Sequence, residues 1–311
     1  MILDNSLPSF LSGMLDEKCV TIYLFHGVID SSDNKVRNYT GKHIELDLFH
    51  SCLSVLKKNG SALSMEQIYD HLTNKIAFPK NSYAVTFDDG FENNYSIALP
   101  ALTEIGIPAT IYISTDFINS NTMSWADRME HLVEQSRENS VRLSFCTETY
   151  PMNTAKDRIA LLKGLRKHVK TTPDCDVNDL IAELGELLKC DLIFHSDHPL
   201  DKKMNWDQVI HAAGNDLITI GGHSHTHPIL SFLGEQELEF EISMSVRSMK
   251  EKASIEPNHY SYPEGLAHCF NNNVINKLKS YGVKCCPTAI YGNNSIHEDP
   301  FHLKRILIMN D

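Results

Sequence analysis

Three polar clusters in this 311-residue chain carry side chains able to do hydrolytic chemistry. The first is Asp88-Asp89-Gly90, which closes the apolar run Tyr83-Ala84-Val85-Thr86-Phe87. Two adjacent carboxylates at the edge of a buried strand repel each other unless a cation or a proton lies close. The second is His223-Ser224-His225-Thr226-His227, which follows the apolar run from Leu217 to Ile220. His223 and His227 are separated by four, so both rings can face one point. Pro228 opposes a full helix there, and an irregular loop would serve equally well. Two imidazoles and one carboxylate make a facial set with open positions, suited to a catalytic divalent transition metal. Three bland readings stand beside this one: a solvated Asp-Asp-Gly turn, a surface histidine cluster, and a loop whose ligand is His225. The third cluster is His26-Gly27, at the end of the β-prone run Cys19 to Phe25. A lone histidine after a strand is usually structural.

The elements needed to position these groups are legible in the pattern. Strand runs fall at Cys19–Phe25, Ala84–Phe87 and Ala109–Ile113. Helical spacing fills Asp47–Lys58, Ser64–Leu72 and Phe91–Ile105, with Ser64 and Gln67 in a capping-box pattern and Gly106 as a stop. A polar loop spans Asp30 to Lys42. The alternation predicts an α/β sheet or barrel, whose strand ends gather at one mouth where active sites form. From about 124 to 216 the rhythm turns helical, over Trp125–Gln135, Asp157–Val169, Val177–Leu188 and Trp206–Ala213. This stretch is too long for one crossover and reads as a helical insertion on the rim of a single 1–311 domain. Alternation then resumes, with an amphipathic helix over Glu235–Lys252 and a helix over Asn272–Tyr281. The run His259–Tyr262 precedes Pro263-Glu264-Gly265, a strand is expected at Val283–Cys286, and a final run spans Leu303–Ile308.

Bulk properties narrow the function classes. A net charge of −12 argues against nucleic acid as a partner. No apolar stretch is long enough to cross a bilayer. Met1 to Leu15 lacks the basic start of an export signal, so a cytoplasmic location is expected. The eight cysteines show no C-x-x-C spacing and read as reduced, mostly buried thiols, Cys285-Cys286 included. His195-Ser196-Asp197-His198 reads as a solvent-facing turn rather than a metal cluster.

Together, the motifs resemble carbohydrate esterase family 4, the NodB-homology polysaccharide deacetylases. Thr86-Phe87-Asp88-Asp89-Gly90 is similar to the family's first motif, and His223-Ser224-His225-Thr226-His227 to its second. The resemblance implies a distorted (β/α)7-type barrel. It also implies metal ligation by Asp89, His223 and His227, with Asp88 as catalytic base. Two departures stand out. The usual Arg-x-Pro-Tyr reads Ser261-Tyr262-Pro263-Glu264 here, closer to the aromatic-Pro-x-Gly form of the poly-N-acetylglucosamine deacetylase branch. By the resemblance, Glu264 supplies a backbone N–H to the oxyanion, and the missing motif arginine has a speculative substitute in Arg305. The late Leu-x-His motif is absent, and Leu24-Phe25-His26-Gly27 fits the permuted arrangement of that same branch. His26 thereby becomes the expected general acid, with His297 and His302 as fallbacks.

The activity implied is hydrolytic removal of an N-acetyl group from an N-acetylated sugar or glycan precursor. The expected cofactor is Zn²⁺, with Co²⁺, Ni²⁺ or Fe²⁺ as alternatives. Trp125-x-Asp127 adds to a resemblance with members associated with surface-polysaccharide synthesis. A nucleotide- or lipid-linked sugar, met in the cytoplasm or in transient association with the inner membrane, suits that expectation. O-deacetylation or deformylation would use the same metal-water attack, and a glycan-binding homologue without catalysis is the alternative of another class.

Overall fold

The computed structural model describes residues 6–30 and 36–309. Residues 31–35 of the expected polar loop, and Met1–Asn5 of the segment read for an export signal, lie outside the described residues.

In chain order, helix α1 (Ser6–Gly13) precedes strands β1 (Thr21–Phe25), β2 (Gly27–Ile29) and β3 (His43–Glu45). Helix α2 (Leu46–Asn59), β4 (Ser61–Ala62), α3 (Met65–Asn74) and β5 (Ser82–Phe87) follow. Next come α4 (Leu99–Ile105), β6 (Ala109–Ile113), α5 (Thr115–Ser120) and α6 (Trp125–Gln135). The hairpin β7 (Ser140–Val141) and β8 (Tyr150–Pro151) leads to α7 (Ala155–Thr171), α8 (Val177–Leu188) and α9 (Trp206–Ala213). The chain closes with β9 (Ile218–Gly222), α10 (Glu235–Ala253), α11 (Asn272–Ser280) and β10 (Ile306–Leu307).

The main sheet is parallel in the order β10-β1-β5-β6-β9, with β4 alongside β5. Every residue of β1, β5 and β6 is buried, as expected of strands covered on both faces. Single parallel bridges carry the wall onward from β9: Gly222 to Tyr260, His259 to Cys285, and Pro287 to Leu303. The circuit returns to β10, so the parallel sheet closes as a (β/α)7-type barrel, as the sequence predicts. The run His259–Tyr262 and the strand expected at Val283–Cys286 contribute only these bridges. Pro263 and Pro287 follow them directly, and a proline cannot donate to a ladder.

Pro100 has a similar effect on the helix expected from Phe91. It lacks the N–H that would reach back to Ser96, and the turn Asn94–Ala98 widens to π geometry. Capping behaves as predicted, with Ser64 and Gln67 bonding reciprocally at the start of α3. The segment from α6 to α8 has a core of its own, built from Met129, Leu132, Leu161, Leu165, Ile181 and Leu184 among others, whereas Val209 and Ala212 of α9 join the barrel core.

Candidate active site

Parallel register decides which residues meet at the barrel mouth. Phe25 pairs with Phe87, so the residues just beyond, His26 and Asp88, emerge side by side. The Asp88 N–H donates to Phe25 O at 3.1 Å. Ile113 pairs with Gly222, and the His223 N–H donates to Ile113 O at 2.9 Å, which starts the histidine loop at the same level. Asp89, Ser224, His227 and Glu264 all have positive φ, between 61° and 76°. Non-glycine residues held there cost of order 1 kcal/mol or more each, and such strain clusters at functional sites.

Asp89, His223 and His227 converge, with ligand atoms within 4.8 Å of one another. The Asp89 Oδ1 lies 3.2 Å from His227 Nε2 and 3.5 Å from His223 Nε2. Tetrahedral ligands of a zinc ion stand roughly 3.3 Å apart, so the spacing fits. His223 Nδ1 donates to Ser261 O at 2.8 Å, which leaves Nε2 as a bare acceptor facing the site. Burial would raise the Asp89 pKa, yet His223 and His227 hold it well below the usual carboxylate range. Burial would lower that of His227, and Asp89 raises it above the ordinary value. The donor set therefore fits a divalent cation. Among the described residues no other group of histidine, cysteine and carboxylate ligands converges, the His195–His198 turn included. His225 is not part of it, because its Nδ1 pairs with Thr115 Oγ1 at 2.8 Å.

Asp88 lies beside this set, its Oδ2 3.9 Å from His223 Nε2. Arg305 grips it from behind, Nη1 to Oδ1 and Nη2 to Oδ2, and Ser261 Oγ donates to Oδ2 at 3.2 Å. Burial would raise the Asp88 pKa, but Arg305 outweighs it and the carboxylate is held below its usual range. Arg305 itself is fully buried, its Nε donating to Thr288 O at 2.6 Å.

Asp88, Asp89, His223 and His227 line a cavity of about 170 Å³ together with Leu24, His26 and Glu264. His26 faces the metal set with its Nδ1 unpartnered. Burial pushes its pKa below the usual histidine range while Asp89 and Asp88 draw it upward. The N–H of Glu264 is taken by no acceptor among the described residues. His297 and His302 do not line the cavity, and His302 pairs with Asp299 at 3.5 Å.

Sequence reasoning missed the other wall. Lys42, Trp125, Arg166 and Lys170 line the cavity, three of them from the helical insertion. Lys170 pairs with the Glu264 carboxylate, so that side chain ties α7 to the barrel. Lys42 pairs with buried Asp127, which Lys203 also meets at 3.4 Å. The Trp125-x-Asp127 segment was the one available signal for this wall.

The sequence model of the polysaccharide deacetylase family matches residues 75–170 and 192–286, more than half of the chain. No curated protein matches the chain by sequence. Among solved structures, the Streptococcus pyogenes deacetylase PplD, in complex with acetate, is 17% identical with a TM-score of 0.62. That alignment covers 94% of this chain and 93% of PplD. IcaB from Ammonifex degensii is 15% identical with a TM-score of 0.59, covering 94% and 93% of the two chains. A de-N-acetylase from Aggregatibacter actinomycetemcomitans is 17% identical with a TM-score of 0.58, covering 93% and 94%. At these identities the likeness concerns the fold.

Proposed function

The chain belongs to the polysaccharide deacetylase family, and from this we propose that it is a metal-dependent hydrolase removing the N-acetyl group from an N-acetylated sugar or glycan precursor. One observation carries the reading: Asp89, His223 and His227 converge beside a carboxylate, Asp88, that an arginine keeps ionised. A divalent ion held by Asp89, His223 and His227 would supply Lewis-acid activation of water and of the acyl carbonyl. Zn²⁺ suits that donor set, with Co²⁺, Ni²⁺ or Fe²⁺ as alternatives.

The chain's own residues then have separate tasks. Asp88, ionised and aimed by Arg305, accepts the proton of the attacking water. The Glu264 N–H donates to the oxyanion that develops on the acyl oxygen. His26, on the same cavity wall, gives a proton to the departing nitrogen, which otherwise leaves poorly as an amine. Trp125 with Lys42, Arg166 and Lys170 offers an aromatic face and donors to sugar hydroxyls.

A reducing, cytoplasmic setting, in which the eight cysteines stay free thiols, and a precursor sugar as substrate belong to this reading. No helix among the described residues is long and apolar enough to cross a membrane. The test is incubation of the Zn²⁺-reconstituted protein with N-acetylated and O-acetylated sugars, sugar nucleotides and oligosaccharides. Metal-dependent acetate release with a free amine in the product is expected. Formate release, ester cleavage alone, or turnover without metal would overturn it.

A further inference from the structure

We infer that Glu241 is the positioning residue for the loop carrying both histidine ligands, an inference that rests on the metal reading above. It stands on α10, whose Leu238, Ile242, Val246 and Met249 pack into the protein's interior. Glu241 is only 5% exposed, and a buried carboxylate is costly unless hydrogen bonds satisfy it. All three hydrogen bonds it receives come from one place. Its Oε2 accepts the N–H groups of His225 at 2.9 Å and Thr226 at 2.8 Å, and its Oε1 accepts Thr226 Oγ1 at 2.5 Å. Charge-assisted bonds of this kind are roughly twice as strong as neutral ones.

Those two residues lie between the ligands His223 and His227. The third residue of the span, Ser224, is held separately: its N–H donates to Tyr260 Oη at 2.8 Å, and its carbonyl accepts the Thr115 N–H at 3.2 Å. Ser224 Oγ then accepts the His227 N–H at 2.9 Å. The backbone of the span is therefore fixed at each residue, and Glu241 fixes the half adjoining His227. Ser224 and His227 sit at positive φ, a conformation the loop would relax without external partners. Glu241 hydrogen-bonds neither ligand ring, so it acts through the backbone on the spacing of the two Nε2 atoms.

Outer partners of metal ligands typically account for 10–100-fold in affinity. The test measures Zn²⁺ dissociation constants by chelator competition on the full-length protein, with hydrogen exchange of the loop peptide and circular dichroism alongside. Glu241→Ala is expected to weaken Zn²⁺ binding about 10–100-fold and to speed exchange at His225 and Thr226, with the barrel signal retained. Glu241→Gln can still accept the two N–H groups through its carbonyl and donate to Thr226 Oγ1, so it is expected to restore most of the affinity. Val246→Ala, which opens a cavity in the same helix, should lower stability and leave Zn²⁺ affinity alone. If Glu241→Ala fails to fold, Glu241→Asp carries the same expectation, since its charge is kept but its reach shortened. Wild-type affinity in the alanine or aspartate variant overturns the inference, as does an equal loss in Val246→Ala. A wild-type protein that takes up no Zn²⁺ overturns the metal reading itself, and this inference falls with it.

Discussion

Arg305 meets Asp88 through two parallel hydrogen bonds of 2.8 Å each, and both side chains are buried. This fork fixes the direction of the proposed base as well as its charge. The sequence offered Arg305 only as a speculative stand-in for the motif arginine missing at Ser261. Ser261 instead joins the pair, its hydroxyl accepting from Arg305 Nη2 at 2.8 Å.

Arg305→Met should therefore act on both stability and activity. Asp88 now has a lowered pKa, so its contribution to stability is present above the unfolded value near 3.9 and is lost as pH falls through the folded value. Without the guanidinium, burial dominates and the folded pKa rises above the unfolded one. Breaking such a buried pair costs about 3–5 kcal/mol. The acid limb of kcat/KM should move to higher pH, read from a pH–rate profile and urea unfolding at pH 7. An unmoved limb would mean that Asp88 is not the base.

His26→Asn separates the acid from the metal set. Loss of a general acid costs about 10²–10⁴ in kcat. Zn²⁺ uptake should be unchanged, since His26 is outside the ligand group, and the basic limb of the pH profile should disappear. Loss of metal along with activity would instead make His26 a ligand.

Acid should destabilise the metal-loaded protein before its carboxylates titrate. His43 is pushed well below the usual histidine range by burial first and by Lys42 second. His259 is lowered by burial too. Each contributes stability that is present above the unfolded pKa near 6.5 and lost as pH falls from there toward the folded value. His227 has a raised pKa and would act oppositely, but ligation keeps it from titrating. Urea unfolding at pH 7.5, 6.5 and 5.5 should show stability falling below pH 6.5, by up to about 1.4 kcal/mol per pH unit for each such histidine. A flat profile would count against their burial as neutral rings.

Gly222→Ala tests the close approach at the end of β9. A Cβ there would collide with the ring of Tyr260, whose hydroxyl also anchors the histidine loop. Overpacking of this kind costs about 1–3 kcal/mol. The variant should unfold at lower urea and bind Zn²⁺ more weakly, because His223 is the next residue. Unchanged behaviour in both measurements would show that the ring yields freely.

The parts of the site legible in the sequence are those written contiguously. Asp88-Asp89 and His223-x-x-x-His227 each sit within a few residues of the strand that aims them, so local pattern and chemistry coincide. His26 was legible only through the family resemblance, because a single histidine after a strand carries no signal of its own. The cationic wall was not, because Lys42, Arg166 and Lys170 come from separate segments and look like ordinary surface charges until packing brings them together. Glu241 was hidden for a related reason, being one polar residue in the middle of an amphipathic helix. The barrel was legible in its alternating strands and blurred where Pro263 and Pro287 reduce the ladder to single bridges.

Those bridges have a bearing on how the molecule assembles. Arg305 reaches Asp88 across 217 residues of sequence, and β10 closes against β1 from the other end of the chain. Closing loops this long costs chain entropy, and folds rich in such contacts fold more slowly as a class. Until they form, Asp88 lacks the fork that orients it and offsets its burial. On the proposed reading, the base and the metal ligands are both assembled from remote segments, Asp88 with Arg305 and Asp89 with His223 and His227, so the site depends on closure of the whole barrel.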